Sequence, residues 1–214
     1  MLEHLQADEV QRVIDVSRRH HYATGEVIFH EDDLADSMHV IERGRVAVLV
    51  NNAEGKQLTF QVMGAGELVG ELSLLVPDGR RSATVQALEP TVTLAIGRVE
   101  FERLLRDHPR VSEVLLRLLT AHVLRLSDRL REMLYLPVEA RIRRRLLDLA
   151  DAYGGARRGT VVPLRQEDLA SLSGAARATV NRVLRQDEAA GIVALERRRV
   201  IILDPDHLRR RAER

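Results

Sequence analysis

Apolar positions change their period twice along the chain. From Ala23 to Gly97, short β-branched runs alternate with glycine breaks. The runs are Val27–Phe29, Met38–Ile41, Val46–Val50, Leu58–Val62, Ala83–Ala87 and Thr91–Ile96. The breaks are Gly25, Gly44, Asn51-Asn52 with Gly55, Gly64 and Gly66, Gly79, and Pro90. Many short strands at about ten-residue spacing predict an all-β sandwich or barrel. Ahead of them, residues 2–20 read as an amphipathic helix, with Leu5, Val10, Val13, Ile14 and Val16 set among charges.

From Val99 the period becomes helical. Val99–Asp107 predicts one helix, stopped at His108-Pro109. Arg110–Leu136 then runs without Gly or Pro. Within it Leu116, Leu119, Val123, Leu126, Leu130 and Met133 recur at alternating steps of three and four. That is a heptad seam about three heptads long. A narrow stripe on a helix this long predicts a partner helix and therefore a dimer; packing on its own domain is the competing explanation. Pro137 interrupts the pattern and marks a hinge.

Beyond Pro137 the pattern predicts a helix over Val138–Tyr153, a loop with Gly154, Gly155 and Gly159, and a helix over Arg165–Leu172. A tight turn at Ser173-Gly174-Ala175 leads into a second helix over Ala176–Ala190. Ile192–Leu195 and Val200–Leu203 flank Glu196-Arg197-Arg198-Arg199 as a hairpin with a basic tip.

Charge sharpens this division. Residues 1–136 carry 16 Lys and Arg against 21 Asp and Glu, a net of −5; residues 137–214 carry 17 against 11, a net of +6. The basic part suits a phosphate backbone. At 45% apolar and 30% charged, the composition is that of an ordinary globular protein. Zero cysteines exclude disulfides, Cys-ligated clusters and thiol catalysis. No apolar run reaches the roughly 18 residues of a membrane span. The first residues lack a basic stretch followed by an apolar one, so no secretory signal is expected. These readings predict a cytoplasmic protein with no membrane partner and no metal. No nucleophile–base pair, metal motif or P-loop is present, so an enzyme is not expected.

Two segments carry chemistry. The first is Gly70-Glu71-Leu72-Ser73-Leu74-Leu75, followed by Arg80-Arg81-Ser82-Ala83-Thr84. Glycine lets backbone approach a ligand, and the residues after it can turn their N–H groups toward an anion. Arg81 offers a planar fork to a phosphate, Ser82 a hydroxyl beside it, and Glu71 an acceptor for a ribose hydroxyl. The second is the helix–turn–helix. Arg177, Thr179, Asn181 and Arg182 share one side of its second helix, while Val180, Val183 and Leu184 face a core. Arg can bond guanine and Asn adenine in the major groove. Arg165, Gln166 at the start of the first helix, Arg185 and the wing arginines, Arg198 among them, are placed to meet DNA.

These motifs resemble the Crp–Fnr family of bacterial transcription regulators, its cAMP receptor protein branch in particular, over nearly the whole chain. The resemblance implies an α+β fold over three parts. They are a cyclic-nucleotide-binding β-roll (a jelly roll) at 1–109, a dimerisation helix at 110–136 and a winged helix–turn–helix at 137–214. It implies a homodimer that binds double-stranded DNA, reads a palindromic operator with helix 176–190, and works with RNA polymerase. Glu71 would bind the ribose 2′-hydroxyl, and Arg81 and Ser82 the cyclic phosphate of cAMP. The backbone of Gly70, Leu72 and Ser73 would lie against the same ligand. Two adjacent polar residues on the long helix contact adenine in this family; here they read Leu126 and Ser127, so one polar contact is missing. The family's best-known recognition helix reads Arg-Glu-Thr-Val-x-Arg, and here Arg177-Ala178-Thr179-Val180-Asn181-Arg182 replaces its glutamate by Ala178. Alanine cannot accept from cytosine, so the operator is expected to differ at that position. Ligand at Ser127 would bias the helix pair just before Pro137, beyond which the DNA module turns.

Two other regulators fit the same chain. His20, His21, His30 and His39 raise a haem or another small-molecule effector, and a residual cassette would leave DNA binding constitutive.

Overall fold

The computed structural model describes residues 7–51 and 57–213, and clusters them into two compact units. The first ends at Arg125; the second runs from Leu126 onward and takes in Leu58–Phe60.

In the first unit, helix α1 (Ala7–Asp15) precedes eight strands: β1 (Arg18–Tyr22), β2 (Val27–Phe29), β3 (Ser37–Arg43), β4 (Arg45–Asn51), β5 (Gln57–Gly64), β6 (Leu68–Val69), β7 (Thr84–Ala87) and β8 (Thr91–Gly97). A four-residue helix, α2 (Glu71–Leu74), lies between β6 and β7. The strands form two four-stranded sheets in the orders β1-β8-β3-β6 and β2-β7-β4-β5, a jelly roll. Strand alternation decides what each face buries. Met38 and Val40 of β3 join Leu94, Ile96, Phe101 and Leu104 in a core on the helix side. Ile41, on the opposite face, meets Val46, Val69 and Val85 between the sheets.

The helix expected over 2–20 is shorter. Residues 1–6 lie outside the described part, α1 stops at Asp15, and Arg18–Tyr22 pairs antiparallel with Thr91–Ala95 as β1. Its five residues are polar or aromatic and mostly exposed, so hydrophobic patterning carries no trace of it. The break expected at Asn51-Asn52 and Gly55 falls largely outside the described residues.

Helices α3 (Arg98–Asp107) and α4 (Pro109–Tyr135) follow. Pro109 opens α4, where a missing N–H costs nothing. α4 carries two apolar stripes. Val111, Val114 and Leu115 are buried against the roll, with Leu118 and Leu119 partly so. The other seam positions, Leu116, Val123, Leu126, Leu130 and Met133, are between 38% and 64% exposed in the single chain. Packing on the roll and an exposed seam therefore coexist on one helix.

In the second unit, α5 (Val138–Ala152) packs against three helices that follow it: α6 (Gln166–Ser173), α7 (Arg177–Ala189) and α8 (Pro205–Ala212). Strands β9 (Val161–Val162), β10 (Val193–Glu196) and β11 (Arg199–Ile202) form the sheet β10-β11-β9. Gly174 ends α6 at φ +60°, the left-handed cap that glycine takes without strain. Ile142, Leu146, Leu169, Leu184 and Ile202 are fully buried. This is a winged helix–turn–helix. β9 and α8 were not expected from patterning. α8 nonetheless carries a readable start: Asp204 accepts from the His207 N–H at 2.9 Å, and Pro205 opens the helix.

Candidate effector cleft and DNA-reading face

Gly70 ends β6 with φ +84°, a left-handed backbone that turns the chain into α2. A side chain there would overlap Arg81 Nη1. Glycine suits this position through its φ, and a side chain there would also have to push the Arg81 guanidinium aside.

Arg81 is 2% exposed. Its Nη1 donates to Gly70 O at 3.1 Å, and its Nη2 to Asp36 Oδ1 and Ser37 Oγ, each at 3.3 Å. The guanidinium lies 4.1 Å from the centre of the Phe29 ring. Its buried Nε has no partner. Burial pushes the guanidinium below its ordinary range, opposed by Asp36 and Asp33. A buried cation whose one carboxylate partner is long and largely in water is poised to take an anion.

Glu71 starts α2 beside this arginine. Burial raises its carboxyl; a hydrogen bond to its own backbone and the Arg81 charge pull the other way. Ser73 is buried, whereas Leu72 and Ser82 are exposed. Glu71 and Arg81 line different cavities. A cavity of about 220 Å³ takes Met63, Glu67 and Glu71 from the roll and Leu115, Leu119, His122 and Arg125 from α4. A larger one, about 750 Å³, takes His20, Tyr22, Phe29, Asp36, His39 and Arg81. Sequence reasoning missed His122 and Arg125. Only the distance of each from the seam, one turn or less, could have flagged them. Leu126 and Ser127 are exposed on α4.

Among the four histidines raised above, His39 is buried. Its ring hydrogen-bonds Thr93 Oγ1 at 3.0 Å and lies 3.4 Å from Ser37 Oγ. No cluster of potential metal ligands occurs among the described residues. Burial, then the charges of Arg81 and His20, lower the His39 pKa from 6.5 to about 4, with Asp36 opposing. The unfolded chain therefore binds this proton at higher pH than the folded one. The stability that results is complete above pH 6.5 and is lost as pH falls toward 4, about 3 kcal/mol in all. Urea unfolding should show this loss between pH 7 and pH 4. His39→Gln should flatten that part of the profile; an unchanged slope would assign the loss to other groups.

The second unit brings Arg165, Gln166, Arg177 and Arg198 around one groove of about 340 Å³ between α6, α7 and the wing. Thr179 is half-buried; Asn181, Arg182 and Arg185 stand exposed along α7, over the buried Val180, Val183 and Leu184. The wing tip is a two-residue turn, with Arg198 at φ +60°. Most of these arginines hold carboxylates. Arg177 meets Glu167 at 2.9 Å, Arg182 meets Glu139 at 2.8 Å, and Arg185 meets Glu188 at 2.7 Å. Arg199 pairs with Glu196. The hydrogen bond from Arg182 holds Glu139 below the usual carboxylate range, and that from Arg185 does the same for Glu188. Exposed pairs of this kind are screened by water and contribute little, so a phosphate or a guanine can displace them.

Comparison with known proteins agrees with this division. Residues 19–108 match the model of the cyclic nucleotide-binding domain, and residues 140–211 that of the Crp-like helix-turn-helix domain. A CRP-like cAMP-activated global transcriptional regulator of Mycobacterium tuberculosis is 31% identical, covering 89% of this chain and 86% of its own. The cyclic AMP receptor protein of Thermus thermophilus is also 31% identical over the same shares of the two chains. Among solved structures, the c-di-GMP responsive global regulator CLP of Xanthomonas campestris superposes with a TM-score of 0.80. At 23% identity, with 92% of this chain and 99% of that one covered, it shows a shared fold.

Proposed function

The chain is a member of the Crp family of DNA-binding transcription regulators, and we propose that cAMP held by the Gly70–Ser82 cassette controls how its homodimer binds a palindromic operator. The observation that carries the effector reading is Arg81: buried, with an unpartnered Nε, and touching the carbonyl of the glycine that precedes Glu71. That arrangement fits a cyclic phosphate. Arg81 and Ser82 would hold the phosphate, with the backbone of Gly70, Leu72 and Ser73 against it. Glu71 would accept from the ribose 2′-hydroxyl, and Leu126 and Ser127 of α4 would face adenine.

The exposed seam supports a dimer, because a stripe of this length left in water favours association. A two-fold dimer presents two copies of α7 to two half-sites about 34 Å apart. Arg177, Asn181 and Arg182, with Thr179 beside them, would read bases. Arg165, Gln166, Arg185 and Arg198 would hold the backbone. RNA polymerase is the further partner. Among the described residues no helix is long and apolar enough to cross a membrane, and a regulator that works on DNA would do so in the cytoplasm.

Leu126 favours a second reading, in which the effector is another small molecule or DNA binding is constitutive. An apolar residue in the seam tightens the helix pair whether or not a purine is present. One experiment separates the two. An operator is selected from random duplex DNA, and its affinity is measured by fluorescence anisotropy at fixed salt, since such affinities fall steeply with salt. Saturating cAMP is expected to tighten binding by about 5–150-fold, the usual range of allosteric coupling. No change would favour the second reading. A monomeric mass in light scattering at micromolar concentration would overturn the dimer.

A further inference from the structure

We propose that Arg98, which belongs to none of the nucleotide contacts above, is the positioning residue of the cassette, holding α2 and the Arg81 anchor at a fixed separation; this rests on the cyclic-nucleotide reading. Arg98 is the first residue of α3. Its Nη1 donates to Leu74 O at 3.0 Å, and its Nη2 to Ala35 O at 2.9 Å, with Ser73 O at 3.5 Å. Its main-chain N–H donates to Asp36 O at 2.8 Å. One residue thus gathers carbonyls from two segments distant in sequence.

Each segment carries half of the anion site. Ser73 and Leu74 end α2, the helix that Glu71 begins; the Leu75 N–H takes the Glu71 carbonyl, and Arg98 takes those of Leu74 and Ser73. Ala35 leads into Asp36 and Ser37, whose side chains accept from Arg81. A guanidinium is a rigid fork, so contacts from its two terminal nitrogens set the distance between the groups they reach. The two segments also meet through Gly79, whose carbonyl accepts from the Ala35 N–H at 3.0 Å. A side chain at Gly79 would overlap Ser73 O, so the junction has no slack. The Arg98 side chain is 29% exposed, and its nearest carboxylate, Glu102, lies 3.9 Å away. Water can therefore replace its hydrogen bonds without opening the core. What water cannot replace is the fixed spacing.

The test uses the full chain and two variants, Arg98→Met and Arg98→Lys. Calorimetry with cAMP should show Arg98→Met about 10–100-fold weaker, the scale of a misplaced binding group. Arg98→Lys should recover only part of the affinity, since an ammonium reaches the carbonyls without the fork that fixes their spacing. Amide hydrogen exchange without any nucleotide gives an independent readout. Arg98→Met should lose protection in Glu71–Arg81 and Ala35–Ser37 while β4 and β8 keep theirs. Wild-type affinity, or wild-type exchange in those two segments, would overturn the proposal. Uniform loss of protection across the roll would overturn it too, because it would make Arg98 a general support of the fold. If wild type itself fails to bind cAMP, the nucleotide reading falls, and the exchange pattern still decides the role of Arg98.

Discussion

Arg81→Leu should abolish measurable cAMP binding. The substitution removes a buried cation whose Nε has no protein partner and leaves a cyclic phosphate without its charge-assisted fork. Losing one partner of a buried, hydrogen-bonded charge pair costs about 2–5 kcal/mol, a factor of roughly 30 to several thousand in affinity. The fold should tolerate the change. Asp36, its carboxylate partner, has a side chain 87% exposed and returns to water, while leucine still covers Phe29. A melting curve close to wild type therefore accompanies the expected loss. Arg81→Lys should recover part of the affinity, as a point charge without the planar fork. Equal cAMP affinity in wild type and Arg81→Leu would move the phosphate site elsewhere.

Asp187→Ala should be the most damaging single change in the DNA-binding unit. Asp187 is fully buried on the inner face of α7. It accepts from Arg143 Nε at 2.8 Å and Nη2 at 3.1 Å, and from Arg211 Nη1 at 2.9 Å. One carboxylate thereby joins α5, α7 and α8. Arg211 can turn to water, but the Arg143 side chain is only 10% exposed and would keep an uncompensated charge. Breaking a buried pair in this way costs about 3–5 kcal/mol. That is a large part of the roughly 5–15 kcal/mol that holds a typical domain together. Urea unfolding should register it directly, with operator binding lost in parallel. Asp187→Asn keeps one acceptor and should cost less. A destabilisation below about 1 kcal/mol for Asp187→Ala would mean that the arginines find other partners.

These residues also mark where sequence stops being informative. The roll was legible because Val46–Val50 and Thr91–Ile96 are short runs rich in β-branched and apolar residues between turn residues, a local signal, and each buries part of its length. β1 was not, because Arg18–Tyr22 is a strand only by virtue of the partner it finds in β8, about seventy residues later. The cassette was read from Gly70, Glu71 and Arg81 through their family resemblance; the turn at Gly70 and the burial of Arg81 are what the structure adds. Nothing local told that Arg98 would collect carbonyls from Ala35 and Leu74, or that Asp187 would anchor two arginines; both depend on chain crossings. The α4 seam was visible, but the second stripe at Val111, Val114 and Leu115 overlapped it in period. Only burial separated the stripe that meets the roll from the one left in water.

The carboxylates that hold Arg177, Arg182, Arg185 and Arg199 bear on how the protein finds its target in a genome. A regulator meets on the order of a million or more competing sites, and its hold on random sequence comes from unsatisfied positive charge. Here much of that charge is already matched on the protein's own surface. On the proposed reading of these arginines, every encounter with DNA displaces the same glutamates, a small and uniform toll at all sequences. Only at an operator do base contacts outweigh it. On that reading the searching protein leaves the wrong places sooner, while the preference for the operator over random sequence is set by the base contacts alone.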